Sequence, residues 1–278
     1  MAWETGTANG HRDLLAKLAV FAVAQGWVAV KSLTPTDGEY ELWLKSGGES
    51  GKETIFVGFR TESDPDNDRF NVALRCSPMF SDGALFHEMP NSSSTKYVYL
   101  WKNTIPYYFV VNKDRIIVIA QISTKTHACY LGKLRQYCSL GHWPRQVVVF
   151  GESDIATGRW SNEGGDYSIF QNIIPRANAV LWVDNTYLNV TKSYPRQGGF
   201  PALDGKPINN SNDRWMIQMF AIHNDHGALG EFQGCFYLSG RDVATWQRLT
   251  SPDNSREYVV LQNIYRAGFI DYMAVELA

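Results

Sequence analysis

Apolar residues recur along this chain with two different periods, and the change from one to the other comes early. Leu14, Leu15, Leu18, Phe21 and Ala22 stand three and four apart, which places them on one face of a helix. Asn9 is positioned to cap the start of that helix, and Gly26 to end it in the left-handed conformation. Trp27 opens an apolar, β-prone stretch to Val30, and Thr34-Pro35-Thr36-Asp37-Gly38 then signals a turn. Beyond it the period is two. Residues 40–45 and 54–60 alternate as half-buried strands about the glycines at 47–51. Residues 61–69, with three aspartates and Pro65, read as an exposed loop before a strand over 70–75.

The strongest β signal follows a polar loop at 91–95. Tyr107-Tyr-Phe-Val-Val and Arg115-Ile-Ile-Val-Ile-Ala-Gln-Ile flank the polar Asn112-Lys-Asp, a pattern that predicts a hairpin. Neither run alternates, so burial on both faces is expected. Further strands are expected over 146–150, 215–222, 235–238 and 258–265. A hairpin over 180–190 should turn at Asp184-Asn185, and a last strand over 271–277 should follow a turn at Ala267-Gly268. Residues 192–214, rich in Pro, Gly and Asn, read as a long loop. A length of 278 residues suits one or two domains. The shift to Gly, Ser, Asp and Asn between 151 and 166 divides the chain into a helix-plus-antiparallel-sheet domain, 1–150, and a β-rich domain with long loops, 151–278. The fold class is α+β tending to all-β, with the N-terminal helix packed on a mainly antiparallel sheet and a second β-rich portion following. Without βαβ alternation, a doubly wound nucleotide fold is not expected.

Charge narrows the partners. Twenty-six Lys and Arg against 28 Asp and Glu leave a net charge of −2, which argues against free nucleic-acid binding. Charged residues are 19% of the chain, below the roughly 25% of ordinary domains, while Trp, Tyr and Phe number 9, 14 and 14. That mixture suits β structure, extensive interfaces or carbohydrate contact. The longest apolar stretch, 18–30, is broken by Gln25 and Gly26 and is short of the ~20 residues of a spanning helix, so no membrane insertion is expected. No basic leader precedes it. Cys76, Cys129, Cys138 and Cys235 are widely spread and are expected to be reduced and unpaired.

Candidate chemistry is sparse. His223, Asp225 and His226 have metal-like spacing, yet further ligands are missing and the neighbouring 227–230 reads as a surface loop. His127 and Cys129 share one face of a strand, with Cys138 nine residues on, but a small buried thiol explains Cys129 as well. Gly151-Glu152-Ser153 lacks the second glycine of a nucleophile elbow. Asp64 with Asp66 and Glu152 with Asp154 could be imagined as glycosidase carboxylates, though both pairs sit in turn-like sequence. Trp143, Trp160 and Tyr194 could stack on sugars. Asn91, Asn189 and Asn209 begin glycosylation-like triplets that read as polar loop. No phosphate-cradling glycine loop is present. The expectation is no catalytic residue, no cofactor, no metal and no small-molecule substrate.

Several blocks resemble a family of virion structural proteins of tailed bacteriophages, encoded among head-completion, neck and tail genes. They are Glu4-Thr-Gly-Thr-Ala-Asn-Gly-His-Arg-Asp-Leu-Leu with Gly26-Trp27, and Ile55-Phe-Val-Gly-Phe-Arg-Thr-Glu-Ser-Asp with Phe70-Asn-Val-Ala-Leu. The most specific runs from Ile105-Pro-Tyr-Tyr-Phe-Val-Val through Tyr130-Leu-Gly. Leu229-Gly-Glu-Phe-Gln-Gly, Val260-Leu-Gln-Asn-Ile-Tyr-Arg and Asp271-Tyr-Met-Ala-Val complete the set. The resemblance implies a non-enzymatic structural component at the neck, collar or tail. Its partners would be copies of itself and other virion proteins in a ring-like assembly. It would be made in the cytoplasm of a bacterial host and reside in the virion. The alternatives are a module of the tail that binds host-surface glycan or protein, and a hydrolase whose scattered site leaves no motif.

Overall fold

A computed structural model describes residues 1–136, 147–161, 178–181, 186–194, 216–262, 264 and 272–277. The protein is mostly β, with one N-terminal helix and several sheets. In chain order it begins with β1 (Ala2–Asn9) and α1 (His11–Ala24). A five-stranded sheet follows: β2 (Val28–Leu33), β3 (Glu41–Ser46), β4 (Ile55–Asp64), β5 (Arg69–Ser77) and β6 (Lys96–Val98), in that spatial order. Next come β7 (Thr104–Val111), β8 (Arg115–Ile122), β9 (Lys125–Gly132), β10 (Val148–Phe150), β11 (Asn178–Leu181) and β12 (Tyr187–Leu188). With β1 at the outer edge beside β7, they make a seven-stranded sheet that draws on both sides of residue 150. The last six strands are β13 (Lys192–Tyr194), β14 (Ile217–His223), β15 (Gly227–Leu238), β16 (Arg248–Thr250), β17 (Glu257–Gln262) and β18 (Tyr272–Glu276). They form a third sheet in the order β13-β14-β15-β18-β17-β16.

The seven-stranded sheet is the middle layer. Tyr107, Phe109, Val111, Ile116 and Val118 belong to one core with α1 and with Leu42, Val57, Phe59, Val72 and Leu74 of the five-stranded sheet. Their neighbours Tyr108, Val110, Ile117, Ile119 and Tyr130 belong to a second core with Met219, Phe232, Cys235, Val259 and Val275 of the third sheet. Alternate residues of one strand therefore feed two cores, which is why the β7–β8 runs are continuously apolar. The hairpin itself turns at Asn112, whose Oδ1 accepts the amides of Asp114 (3.0 Å) and Arg115 (2.9 Å).

The helix ends as expected. Gly26, at φ 92°, donates to the carbonyl of Val23, and Trp27 donates to that of Ala22, which closes a Schellman motif. Its start differs from expectation. Asn9 belongs to β1, paired with Thr104, and Gly10 takes the capping position at φ 90°, where a Cβ would meet the Lys102 carbonyl at 2.8 Å. Asp13 reaches back to the Asn9 amide (2.7 Å).

Three other expectations are corrected. The polar residues 61–64, read as loop, extend β4, because each pairs across to 69–72 in a hairpin. Residues 227–230, read as surface loop, begin β15, and 192–194, read as loop, form β13 along β14. In each case cross-strand pairing overrides weak local preference. The turns expected at 184–185 and 267–268 lie outside the described residues.

Two short crossings tie the layers together. After β10 the chain leaves the middle sheet and pairs with the five-stranded one: Glu152 N donates to Tyr97 O (2.7 Å) and Tyr97 N to Ser153 O (2.8 Å). Arg135 and Glu231 exchange backbone bonds of 3.0 and 2.9 Å between the middle and third sheets. The described part of the polar stretch at which the sequence divides the chain, residues 151–161, is packed. Asn71 donates to the carbonyls of Ala156 (3.3 Å) and Gly158 (2.8 Å), Tyr99 Oη to Ile155 O (2.8 Å), and Gly158 lies against the Tyr99 ring. Among the described residues no helix is long and apolar enough to cross a membrane.

Candidate functional site

Among the described residues the sequence candidates are not gathered into one site. His223 and His226 flank the tip of the β14–β15 hairpin with their rings 4.8 Å apart. His223 Nδ1 accepts the Asp225 amide (3.1 Å), so it acts as a turn-maker. Among the described residues no three His, Cys, Asp or Glu side chains are grouped to hold a metal. Cys76, Cys129 and Cys235 are free and buried; burial pushes the first and third thiols up to about 12 and Cys129 up as well. Asp64 is held by Arg69 (3.1 Å) and Asn67 (2.8 Å), while Asp66 is exposed. Glu152 is buried and Asp154 exposed, which separates that pair by environment. Trp160 is half-buried, edge-on to Trp101 at 5.5 Å, and its indole donates to Asp68 (3.1 Å). Tyr194 packs edge-on to Phe220 (6.1 Å). Asn91 lies in a turn at φ 50°, and Asn189 falls between β12 and β13. Cys138, Trp143 and Asn209 lie outside the described residues.

Two polar clusters appear that no sequence spacing announces. In the first, Glu152 stands where the middle and five-stranded sheets meet. One carboxylate oxygen accepts the Ala128 amide (3.0 Å); the other accepts the Tyr99 amide (3.0 Å) and meets Nδ1 of His127 at 3.0 Å. Both side chains are buried, and His127 Nε2 has no partner. The bond makes Nδ1 the donor and leaves Nε2 buried. This is a clamp between two sheets.

The second cluster joins the start of α1 to β4. Glu39 accepts the Ser63 amide (2.9 Å), Arg12 (3.2 Å) and the Thr61 hydroxyl (2.5 Å). His11 Nε2 lies 3.0 Å from Ser63 Oγ, with its ring against Phe70 at 5.5 Å. A serine beside a histidine with a carboxylate nearby invites comparison with a nucleophilic triad. In a triad the carboxylate holds the far nitrogen of the histidine; here Glu39 holds the strand, through Ser63 N and Thr61. Burial lowers the His11 pKa to about 4, with Glu39's charge opposing and Arg12's charge adding to the fall. An imidazole with that pKa is a weak base for a serine proton. Burial would raise the Glu39 pKa, but the bonds from Thr61 and Ser63 and the charge of Arg12 outweigh it, and the net shift is downward.

That geometry has a pH consequence. Folded His11 titrates near 4 and the unfolded side chain near 6.5, so between those values the unfolded chain binds the extra proton. Stability therefore falls as the pH drops from about 6.5 to 4, by about 3 kcal/mol in all. Urea unfolding at pH 7, 5.5 and 4 checks this. The loss over that window should shrink in His11→Phe, and an unchanged acid dependence in the variant would assign it elsewhere.

No protein-family model matches the chain, and no curated protein matches it significantly.

Proposed function

We propose that this protein is a non-enzymatic structural component of a tailed-phage virion, at the neck, collar or tail, working through contacts with its own copies and with other virion proteins. The observation that carries the reading is where the apolar surface lies. Four of the seven large apolar side chains exposed among the described residues fall on two adjoining elements: Val20 and Val23 on α1, Val28 and Leu33 on β2. Val20 is 74% exposed and Val28 57%. Among the described strands β2 is also the outer one of its sheet, hydrogen-bonded only to β3. An unpaired strand edge beside an apolar helix stripe is the kind of surface that proteins cover by association. The two polar clusters support the same reading, since their groups are spent on holding elements together. The blocks that carry the phage resemblance fall on α1, β1, β4, β5, β7–β9, β15, β17 and β18, the framework of all three layers.

The body draws on both sides of residue 150, since β11 and β12 complete the middle sheet and the third sheet closes the second core. The protein is made in the host cytoplasm and resides in the particle. A second reading, a tail module binding host-surface glycan, draws on the half-buried Trp101–Trp160 pair beside Asp68.

Mass spectrometry of purified virions should find the chain. Averaged density should place it around the tail axis in six- or twelvefold symmetry, the closed ring that head-to-tail contacts produce. Absence from virions, or turnover of a substrate by the pure protein, overturns the reading; glycan binding lost in Trp160→Ala would favour the second.

A further inference from the structure

The middle and third sheets share a core, and among the described strands each has two outer ones: β1 and β12 in the middle sheet, β13 and β16 in the third. These stack in pairs. On one side, the Arg248 guanidinium of β16 lies over the Trp3 ring of β1 at 4.8 Å. Tyr108 packs against Trp246, beside β16, at 5.1 Å and against Trp3 at 6.0 Å. On the other side, β12 passes into β13 through residues 189–191 alone. Within that link the Val190 amide donates to Asn178 Oδ1 of β11 (2.5 Å), and Thr191 N to Ile222 O of β14 (2.9 Å). The two-sheet body therefore ends in two stacked outer strands at each side.

β1 is the edge that calls for a partner. It is eight residues long, pairs with β7 without a break from Ala2–Val111 to Asn9–Thr104, and contains no proline, lysine or arginine. Its single charge, Glu4, accepts the Tyr107 hydroxyl (2.8 Å). Bulges, prolines and lysines are how folded proteins keep an edge from pairing, and β1 has none of them. Alternate amides and carbonyls of such a strand face away from its neighbour. A lone added strand would cover β1 and leave β16 beside it. What covers both is a body that itself ends in two stacked strands, and the opposite side of this same molecule is one.

We propose that copies of this chain join edge to edge, β1 and β16 of one against β12 and β13 of the next, so that both sheets run on across the contact. This rests on the reading of the chain as a ring component, and it names the contact between ring neighbours. Six antiparallel pairings lead from β1 to β12, and five from β13 to β16. β1 and β12 therefore run the same way, and β13 and β16 run oppositely. The junction is parallel in the middle sheet and antiparallel in the third. Because the two sides differ, the contact is heterologous, and a rotation that closes covers every one of these edges. The apolar face of α1 and β2 is left for other virion proteins.

The test applies a short bismaleimide to purified virions and to the concentrated pure chain, both carrying Cys138→Ser. Two double variants are used, Thr5→Cys with Asn189→Cys and Thr250→Cys with Asn189→Cys; all three positions are exposed. Each should give a ladder of covalent multimers on a denaturing gel, while the single variants stay monomeric. Dimers from Thr5→Cys alone would mean that like edges meet, and would overturn the proposal. If the variants do not fold, the wild type decides: outward amides of residues 3–7 should exchange about tenfold more slowly, or slower still, in the particle than in the dilute chain. A chain found around the tail axis with neither ladder nor protection overturns the edge pairing and leaves the virion reading standing. A chain absent from virions overturns the virion reading, and a ladder from the pure chain would then still support the pairing. No ladder in either setting, with the chain absent from virions, overturns both.

Discussion

Glu152→Ala is expected to cost about 3–5 kcal/mol of folding stability, the range for breaking a buried hydrogen-bonded pair from one side. The carboxylate serves three buried donors, the amides of Tyr99 and Ala128 and Nδ1 of His127. Each donor left unsatisfied adds a penalty of about 1–3 kcal/mol, partly relieved if water enters. Glu152→Gln should also destabilise, because its amide nitrogen would face donors on at least one side. The double variant with His127→Leu should cost less than the sum of the single changes, with a coupling of about 1 kcal/mol or more. Chemical denaturation at pH 7 of the three single variants and the double variant measures these effects. A loss below about 1 kcal/mol in Glu152→Ala would mean that the junction between the two sheets does not depend on this clamp.

The second large effect is expected in the middle sheet. Ile117 and Ile119 both point into the core shared with the third sheet, and neither has exposed surface. Truncating either to Ala should cost about 2–5 kcal/mol, since the removed atoms leave a cavity between two sheets that cannot both close on it. The alternate positions Ile116 and Val118 face the opposite core. Equilibrium unfolding of the single variants is the check; losses below about 1 kcal/mol at both Ile117 and Ile119 would place the core elsewhere.

What the sequence determined by itself is what local chemistry controls. The spacing of Leu14, Leu15, Leu18, Phe21 and Ala22 makes the helix, and Gly26 ends it because a left-handed residue is needed there. The unbroken apolar runs of 107–111 and 115–122 require burial on both faces, and the polar Asn112-Lys-Asp between them turns the chain. Tertiary structure decided the rest. Residues 2–9 have little strand pattern of their own; they form β1 because their backbone pairs with β7 from Ala2–Val111 to Asn9–Thr104. Residues 61–64 are polar and still form strand, because hairpin pairing satisfies their amides and carbonyls wherever the side chains point. The polar clusters were illegible for the same reason. His127 and Glu152 are 25 positions apart, and His11 and Ser63 are 52 apart. A hydrogen bond between side chains so distant leaves no period and no motif; it exists only once the sheets have stacked and brought the two ends of it together.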